Sequence, residues 1–575
     1  MNQPTPAIVA QGAVRRLPRW VLVLFCAAYV LPGFIGRAPW KSADLSAFGV
    51  MTEMARGSSP WLTPTIGGLT PEVDALLPYW LGAWAMQLAP SWLATEVAAR
   101  LPFMGMLVLT LMAVWYATYY LARSPQAQPV AFAFGGEAHP TDYARAIADG
   151  ALLVFMACLG LAQLVHETTP ALAQLCCTAL LLYATAALPY RPWTPGLFAS
   201  LGLIGLTLSG GPTMAVLLGL GSALIYLLAR PQTQEPQGQR KLRATGMLAL
   251  TLASAALASW LDLWHWRIQL NSTDENHWRN LGRLLLWFTW PCGPLALWTL
   301  WRWRRQWLQP RLSGLHVLLP LWFVLVAVLT TLITPAADRS LLLSLPALAA
   351  LAAFALPTLQ RSLSALIDWF TLIFFSGCAL VIWVVWLSMQ TGIPAQPARN
   401  VARLAPGFVH QFSWPLLALA LGASVIWILL VRWRVGRHRA ALWKTAVLPA
   451  GGAVLCWLLL MSLWLPLLDY ARSYKPMVAL TKSVTGSHPN CVAMQGLRRS
   501  QVAAFEVHAG YQMQTLGTDN TCQWLIVAAP GLSAGMQDKA ITTWQLRARV
   551  GHPADRDEKL FVYQRQSTDN AAETR

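Results

Sequence analysis

The sequence "GRAPWKSADLSAFGVMTEMARGSSPWLTP" spans residues 36–64 and follows the first long apolar segment of the chain. Within it, an acid, Asp44, precedes a helical pattern of apolar residues, formed by Leu45, Phe48, Met51 and Met54. The opposite face of this pattern carries Ser46, Thr52, Glu53 and Arg56. The spacing predicts an interfacial helix that lies flat at a membrane surface, with Asp44 either as its N-cap or as a functional acid.

The composition is that of a polytopic membrane protein. Of 575 residues, 56% are hydrophobic and 11% are charged, whereas about a quarter of residues are charged in soluble domains. The 30 tryptophans agree with this class, because indoles favour the headgroup region. The net charge of +18 comes from short basic clusters between apolar runs. That distribution indicates positive-inside topology and argues against a nucleic-acid partner.

Thirteen segments are apolar and long enough to predict transmembrane helices: 19–36, 98–122, 146–165, 171–189, 196–209, 212–229, 244–262, 282–301, 314–334, 340–357, 364–388, 414–432 and 444–466. Three arginines precede the first of them and predict a retained signal anchor with a cytoplasmic N-terminus. An odd number of spans then sends the C-terminus to the outer side. Nearly all basic clusters fall on the cytoplasmic side in this arrangement.

The predicted domains are a transmembrane domain over 1–467, with a long first outer loop at 37–97, and a small extracytoplasmic α/β domain over 468–575. The second contains strand-like runs and a helical segment, 499–510. Its cysteines, Cys491 and Cys522, predict a disulfide in an oxidising compartment. The other seven cysteines lie in or beside apolar runs and are expected to be core residues. No metal-binding motif of the C-x-x-C or H-E-x-x-H kind occurs.

Several motifs resemble, in the same order, those of glycosyltransferase family 39. They are the first-loop acid followed by "GSSPWLTP" (57–64), "PYWLGAW" (78–84), "EVAARLP" (96–102), "LTLSGGP" (206–212), "LLWFTWPCGPLALW" (285–298) and "DRSLLLSLPALAALAA" (338–353). The resemblance covers roughly residues 19–355. The family has the GT-C fold and includes protein O-mannosyltransferases and the lipid A aminoarabinose transferase.

The resemblance implies a fold and an activity. The expected fold is an all-α, GT-C-like membrane protein in the bacterial inner membrane, with a periplasmic C-terminal domain. The expected enzyme moves a sugar from a polyprenyl-phosphate donor to a lipid, glycan or protein acceptor on the outer face. No cofactor is certain, although a divalent metal is an open alternative, and the oligomeric state is undetermined.

The resemblance also implies two catalytic acids. Asp44 matches the first-loop acid of the family and is the expected general base, a role typically worth about 10²–10⁴-fold in rate. In "LVHETTPALAQL" (164–175), Glu167 replaces the usual second aspartate, and His166 is expected to tune its proton affinity. Asp149 is the alternative second acid, but the predicted topology places it at the inner end of a span.

Substrate-binding residues follow from the need to neutralise a lipid phosphate. Arg339 is the leading candidate, because arginine binds phosphate bidentately; Lys41, Arg267, Arg279, Arg283 and His277 are secondary candidates. The chain departs from the family at Gly210, where a lysine is usual, and at Asp74-Ala75, where Lys-Pro is usual. Glu72 and Asp74 either hold a metal, select a cationic sugar or solvate the loop.

Structural roles compete with these functional interpretations. Asp44 as a helix cap contributes about 1 kcal/mol, Glu167 suits the start of a helix, and Arg339 suits the end of a span. Rival functions are a transporter or flippase and a catalytically degenerate protein that binds a lipid-linked sugar. If Asp44 is the base, Asp44→Asn is expected to lower activity by about 10²-fold or more with little effect on stability.

Overall fold

A computed structural model describes residues 5–230, 236–264, 275–308, 314–334, 337–435, 441–486, 489, 491–517, 522–528 and 544–566; at 275–277 and 337–338 it describes the helical backbone alone. The chain forms two compact units. The first unit comprises Met1–Ile35, Phe103–Val381 and Pro415–Ser462. The second comprises Gly36–Pro102, Ile382–Trp414 and Leu463–Arg575.

Within the described residues, seven helices are long and apolar enough to cross a membrane: Thr95–Ala122, Pro170–Ala187, Gln237–Trp260, Leu315–Ile333, Arg361–Thr391, Trp414–Val435 and Lys444–Leu463. Four shorter apolar helices are Arg19–Phe34, Thr194–Leu208, Pro212–Leu228 and Leu345–Thr358, the last ending in a 3-10 turn from Leu356. A short helix, Ala337–Leu342, precedes that last one. The chain is therefore a multi-pass membrane protein, and the count of thirteen spans stays a prediction.

Two of the predicted spans are interrupted. In place of 146–165 the structure has helices Pro140–Met156 and Leu161–Leu164, and in place of 282–301 it has Glu275–Phe288 and Cys292–Arg302. The second break contains Pro291, which has no N–H to continue a helix. Apolar periodicity alone predicts a continuous helix through both breaks, because the residues at the breaks are themselves apolar.

The two interruptions meet inside the first unit. The N–H groups of Leu159 and Gly160 donate to the carbonyls of Trp290 and Phe288, each at 3.1 Å. A side chain at Gly160 would place its Cβ 2.3 Å from the ring of Phe288, so this close approach requires glycine. Backbone N–H groups at one break thus donate to carbonyl groups at the other break. Non-helical backbone within a membrane is stable only when its polar groups are hydrogen-bonded in this way.

A five-stranded sheet lies in the second unit. Its strands are β1 (Val492–Gln495), β2 (Met513–Thr515), β3 (Trp524–Ala528), β4 (Trp544–His552) and β5 (Asp555–Arg565). Their order is β2-β1-β3-β5-β4, with β1 parallel to β2 and β3, and β5 antiparallel to β3 and β4. The predicted strands occur, and β2 is an additional short strand. The same unit holds helices Ala395–Leu404, Leu465–Arg472, Lys475–Thr485 and Arg499–Ala504, the last continuing as a π-turn, Phe505–Ala509.

The disulfide lies at the base of this sheet. Cys491 and Cys522 are bonded, with their Cα atoms 5.2 Å apart. Cys522 belongs to a buried cluster with Ala493, Leu525, Val527 and Tyr563. The bond therefore joins the segments that lead into β1 and β3, which are neighbouring parallel strands.

The first outer loop forms helices Ala43–Arg56 and Leu77–Leu88. Residues 43–51 of the first helix are all buried, including the polar Ser46. On the same polar face, Thr52 and Glu53 are half-buried and Arg56 is exposed. Protein segments therefore cover the first half of the helix on both faces, and its position at a membrane surface stays a prediction.

Close packing of Ala43–Arg56 explains this burial. It packs against Leu77–Leu88 and Arg499–Ala504. A Cβ at Gly49 would lie 2.7 Å from Ala503, and one at Gly82 would lie 2.3 Å from the sulfur of Met51. The first outer loop thus packs with the C-terminal region, whereas the predicted boundary at residue 467 groups it with the membrane helices.

Candidate functional site

Asp44 lies in the first turn of helix Ala43–Arg56 and is 1% exposed. Its Oδ2 accepts a hydrogen bond from Arg37 Nη1 at 2.8 Å and one from the backbone N–H of Trp40 at 3.1 Å. The N-cap residue of the helix is Ser42, so Asp44 is not the N-cap. The guanidinium of Arg37 supplies the positive charge that an enclosed carboxylate needs.

The segment that carries this ion pair is held by helix Leu465–Arg472. Both carboxylate oxygens of Asp469 accept from the N–H of Ala38, at 3.1 and 3.0 Å, and Oδ1 also accepts from the indole of Trp40 at 2.7 Å. Burial raises the pKa of Asp469, although these hydrogen bonds oppose the shift. The sequence did not predict a role for Asp469, because its hydrogen-bond partners Ala38 and Trp40 lie more than 400 residues earlier in the chain.

Three arginines gather around the same segment. The guanidiniums of Arg37 and Arg472 lie 4.8 and 5.3 Å from the ring centroid of Trp40. Arg100 Nη1 donates to the carbonyl of Arg37 at 2.6 Å. Arg100 belongs to the motif "EVAARLP" and Arg37 to "GRAPW", so the motifs contain these cations although the prediction did not select them. Arg37 and Arg100 are 4% and 3% exposed, whereas Arg472 is half-buried and is the member of the cluster with a surface that a phosphate group can reach.

Lys41 lies in a separate group of charges within the same unit. Its Nζ is 2.7 Å from Asp555 Oδ2 and 3.3 Å from Glu558 Oε2. Tyr474 donates to Glu558 Oε1 at 2.8 Å. The ammonium of Lys41 lowers the pKa of Asp555 by a hydrogen bond and by its charge. Lys41, proposed from the sequence as a phosphate ligand, is thus neutralised by two acids of the β4–β5 hairpin.

Glu53 and Glu506 form a pair of acids that the sequence did not reveal. Glu53 belongs to helix Ala43–Arg56 and accepts a hydrogen bond from the N–H of Gly67 at 2.8 Å. Glu506, in the π-turn, is 7% exposed. Burial raises the pKa of Glu506 from 4.5 to about 9, with further contributions from a hydrogen bond and charge repulsion by Glu53, while Arg56 opposes the shift. Glu506 is therefore protonated and neutral at neutral pH, in the buried site beside Glu53.

In the first unit, the structure brings together two residues predicted to be functional. Glu167 lies between helix Leu161–Leu164 and helix Pro170–Ala187 and is 6% exposed. Its Oε1 accepts from Gln163 Nε2 at 3.1 Å, and its Oε2 lies 3.8 Å from Arg339 Nη2. Arg339, in helix Ala337–Leu342, retains a side-chain exposure of 27%. The arrangement combines an enclosed acid with an accessible guanidinium, the pair of groups that the predicted chemistry requires.

His166 is fixed by its surroundings. One ring nitrogen lies within hydrogen-bonding distance of the carbonyl of Ala162, and the other lies 3.0 Å from the carbonyl of Tyr29. Its ring stacks on Trp457, with ring centroids 4.6 Å apart. A tuning effect of His166 on Glu167 stays a prediction.

The remaining residues that the sequence predicted to bind substrate, and the alternative second acid, lie elsewhere in the chain. Glu72 and Asp74 are half-buried in the segment before helix Leu77–Leu88. Arg267 lies outside the described residues, as does the side chain of His277, whereas Arg279 and Arg283 lie on helix Glu275–Phe288. Asp149, the alternative second acid, accepts a hydrogen bond from the indole of Trp115 at 2.8 Å. In the described part of the chain, no three His, Cys, Asp or Glu residues group as metal ligands.

Comparisons with known proteins identify the fold. No protein-family model matches the chain, and no curated protein is significantly similar to it. Among solved structures, the crystal structure of ArnT from Cupriavidus metallidurans in the apo state is similar, with a TM-score of 0.58, 14% identity, 95% of this chain covered and 98% of that chain covered. The crystal structure of the same protein bound to undecaprenyl phosphate gives the same values. Along nearly its whole length, the chain therefore has the GT-C fold of the ArnT structures.

Proposed function

We propose that this protein is a membrane glycosyltransferase that takes its sugar from a polyprenyl-phosphate donor. The observation that carries the proposal is the similarity to ArnT over 95% of this chain, since one of the two ArnT structures contains undecaprenyl phosphate. The paired acids and arginines add support because they include Asp44, Glu167 and Arg339, the residues that the sequence motifs had singled out.

The proposed reaction needs few protein groups. The acceptor oxygen attacks the anomeric carbon of the sugar, and the bond between that carbon and the phosphate oxygen breaks. Its electron pair leaves with the polyprenyl phosphate, while the proton of the acceptor hydroxyl passes to a carboxylate. The protein must supply that base and positive charge for the phosphate, whose negative charge increases as the bond breaks.

Glu167 and Arg339 fit these requirements within one constellation. The side chain of Arg339 is exposed enough to contact a phosphate group. Its ion pair with Glu167 is long, at 3.8 Å, so a shorter, bidentate contact with a phosphate can replace it. Glu167 is then the acid that orients Arg339 or accepts the acceptor proton. Its hydrogen bond from Gln163 holds the carboxylate in place.

Asp44 has the role of a base or of an anchor for Arg37. The buried pair places its negative charge 2.8 Å from the guanidinium of Arg37. Arg37, Arg100 and Arg472 are further cations, and they are the candidates to replace the lysines that the family has and this chain lacks.

The sugar and the acceptor are open within this proposal. Glu72 and Asp74 are candidates to bind a cationic sugar by charge, and the acceptor is a lipid, a glycan or a protein on the periplasmic face of the bacterial inner membrane. A divalent metal stays an open alternative from the sequence, and the proposed reaction assigns no step to one.

One observation favours a second function. Asp44 is buried and ion-paired, and the usual lysine position holds Gly210, so the protein is alternatively a catalytically degenerate binder of a lipid-linked sugar. A transporter or flippase gains no support from the fold similarity to ArnT.

The test is incubation of the purified protein with radiolabelled polyprenyl-phosphate sugars and candidate acceptors. Release of polyprenyl phosphate with labelling of an acceptor supports the transferase. Saturable binding without release supports the degenerate binder. Glu167→Gln is the diagnostic variant, and Asp557→Asn, an exposed acid of the second unit, is the matched control. Absence of both binding and turnover with every donor would remove the proposal.

A further inference from the structure

A cavity of about 710 Å³ lies at one end of the first unit. Residues from the N-terminal segment, the segment after helix Thr95–Ala122, the end of helix Pro212–Leu228 and the segment 302–306 line it. These four regions are ones that the sequence predicts on the same, cytoplasmic side. A volume of this size is typical of cavities that bind small molecules.

The charge of the cavity is uniformly positive. Four arginines line it, Arg230, Arg302, Arg304 and Arg305, and the lining contains no acid. Within the described residues, Arg230, Arg302 and Arg305 form no ion pair. Positive-inside topology explains basic residues in these connections, but not their convergence from separate helices on one cavity. Like charges that converge without counter-charges favour the binding of an anion.

Hydrogen-bonding side chains also line the cavity. Gln306 Nε2 donates to the carbonyl of Gln126 at 3.2 Å, which ties the segment 302–306 to the segment after helix Thr95–Ala122. Trp303 lines the cavity and is 1% exposed. Its indole N–H has no acceptor in the described part of the chain, and a buried donor of this kind normally has one.

The surroundings favour an amphiphilic anion. Leu297 and Trp301, on helix Cys292–Arg302, are 68% and 54% exposed, and Leu308 on the next short helix, Arg304–Leu308, is 61% exposed. Arg304 donates to the carbonyl of Trp301 and lies 5.4 Å from the centroid of its ring. Exposed tryptophan beside arginine is typical of the headgroup region of a membrane, where basic pockets bind anionic lipids.

We propose that this cavity binds the phosphate headgroup of an anionic phospholipid, with Arg302 and Arg305 as the principal phosphate ligands and Arg230 as a third cation. The site is separate from the Glu167–Arg339 and Arg37–Asp44 pairs and does not depend on the proposed transferase activity.

The test measures binding to the full-length protein in neutral detergent micelles by native mass spectrometry. The probes are dioctanoyl phosphatidylglycerol, dioctanoyl phosphatidylcholine and inorganic phosphate. We expect the anionic lipid to bind at least about tenfold more tightly than the zwitterionic lipid, because only the anionic lipid carries a net negative charge. Inorganic phosphate should compete only at much higher concentration, since it lacks the acyl chains.

The variants locate the site. Arg302→Gln/Arg305→Gln should weaken phosphatidylglycerol binding by about tenfold or more, because two charged hydrogen-bonding groups are lost. Arg361→Gln is the matched control, since Arg361 is exposed, carries the same charge and does not line the cavity. Arg230→Gln, at the end of a different helix, provides a second test if the double variant does not purify as a folded protein.

The outcomes are distinguishable. A loss of binding in the cavity variants with none in Arg361→Gln supports the proposal. Equal binding of both lipids, or an equal loss in Arg361→Gln, would overturn it. Inorganic phosphate that binds as tightly as phosphatidylglycerol would overturn the assignment to a lipid.

Discussion

The guanidinium of Arg37 lies 2.8 Å from the carboxylate of Asp44, and both side chains are 1% exposed. The acid that the sequence selects as a catalytic base is thus half of a buried ion pair. Removal of one partner leaves the other charge buried without compensation, which typically costs about 3–5 kcal/mol. Asp44→Asn is therefore expected to lower stability, in contrast to the small effect expected from the sequence.

Asp44→Asn should lower the melting temperature of the detergent-purified protein markedly, because it strands the guanidinium of Arg37. Arg37→Gln should be destabilising for the converse reason. The double variant Arg37→Gln/Asp44→Asn should be more stable than the sum of the single effects predicts, since neither charge is then isolated. Thermal unfolding of the four proteins measures this coupling, and additive losses would show that the pair is energetically unimportant.

The same variants separate the two roles of Asp44 in catalysis. If Asp44 is the base, Asp44→Asn should lose about 10²-fold or more in activity, whereas Arg37→Gln, which keeps the carboxylate, should lose much less. If Asp44 only positions Arg37, the two single variants should lose activity to a similar extent. Initial rates of acceptor labelling, measured on folded fractions only, decide between these outcomes.

Glu167 and Arg339 should affect different kinetic constants. Arg339→Ala should mainly raise the KM for the donor, because it removes a phosphate contact made before the chemical step. Glu167→Gln should lower kcat by about 10²-fold or more if the acid accepts a proton. Arg361→Ala is the control for loss of a cation from the same unit, since Arg361 is exposed and was not predicted to bind substrate. Identical kinetic effects of Arg339→Ala and Arg361→Ala would argue against a specific phosphate contact.

Lys41 should contribute to stability rather than to donor binding. Its ammonium is held by Asp555 and Glu558, so Lys41→Gln removes the cation that bridges these two acids, although Arg498 still lies 3.5 Å from Glu558. We expect a lower melting temperature with an unchanged donor KM. Lys41 lowers the pKa of Asp555, so the stability that this pair contributes is lost as the pH falls, and the deficit of the variant should shrink with it. A raised donor KM without loss of stability would restore Lys41 as a phosphate ligand.

Glu506 should make stability decrease with rising pH. Burial and Glu53 raise its pKa from 4.5 to about 9, so between these values the folded protein holds a proton that the unfolded chain releases. The stabilising contribution is complete below pH 4.5 and is lost as the pH rises to about 9. Glu506→Gln mimics the protonated acid and should flatten this part of the profile.

Thermal unfolding of wild type and Glu506→Gln from pH 5 to 9 tests this prediction. Asp557→Asn is the control, because that acid is exposed on the same unit. Parallel pH profiles for wild type and Glu506→Gln would contradict the raised pKa of Glu506.

Loss of the disulfide should destabilise the sheet. Cys491 and Cys522 are separated by 31 residues, and closing a loop of this length stabilises a fold by about 3–4 kcal/mol in the chain-entropy model. Cys491→Ser/Cys522→Ser should therefore unfold at lower temperature, whereas Cys378→Ser, a free cysteine in helix Arg361–Thr391, should not. Mass spectrometry of non-reduced peptides checks the bond directly.

The sequence alone determined the membrane class and most helix positions, because about 20 consecutive apolar residues have a single stable environment. It also predicted the strands around Cys491 and Cys522, and its resemblance to glycosyltransferase family 39 led to Asp44, Glu167 and Arg339. These features are local, since each depends on composition or on the order of neighbouring residues.

The tertiary structure decided which charges meet. Arg37 pairs with Asp44, Asp469 holds Trp40, and Glu506 lies against Glu53 because folding brings distant segments together. It also decided that residues 43–51 of the helix that carries Asp44 are enclosed by protein. Periodicity shows that a helix has an apolar face, but burial of Ser46 on the other face, and the ionic partner of a buried acid, depend on contacts that sequence spacing does not encode.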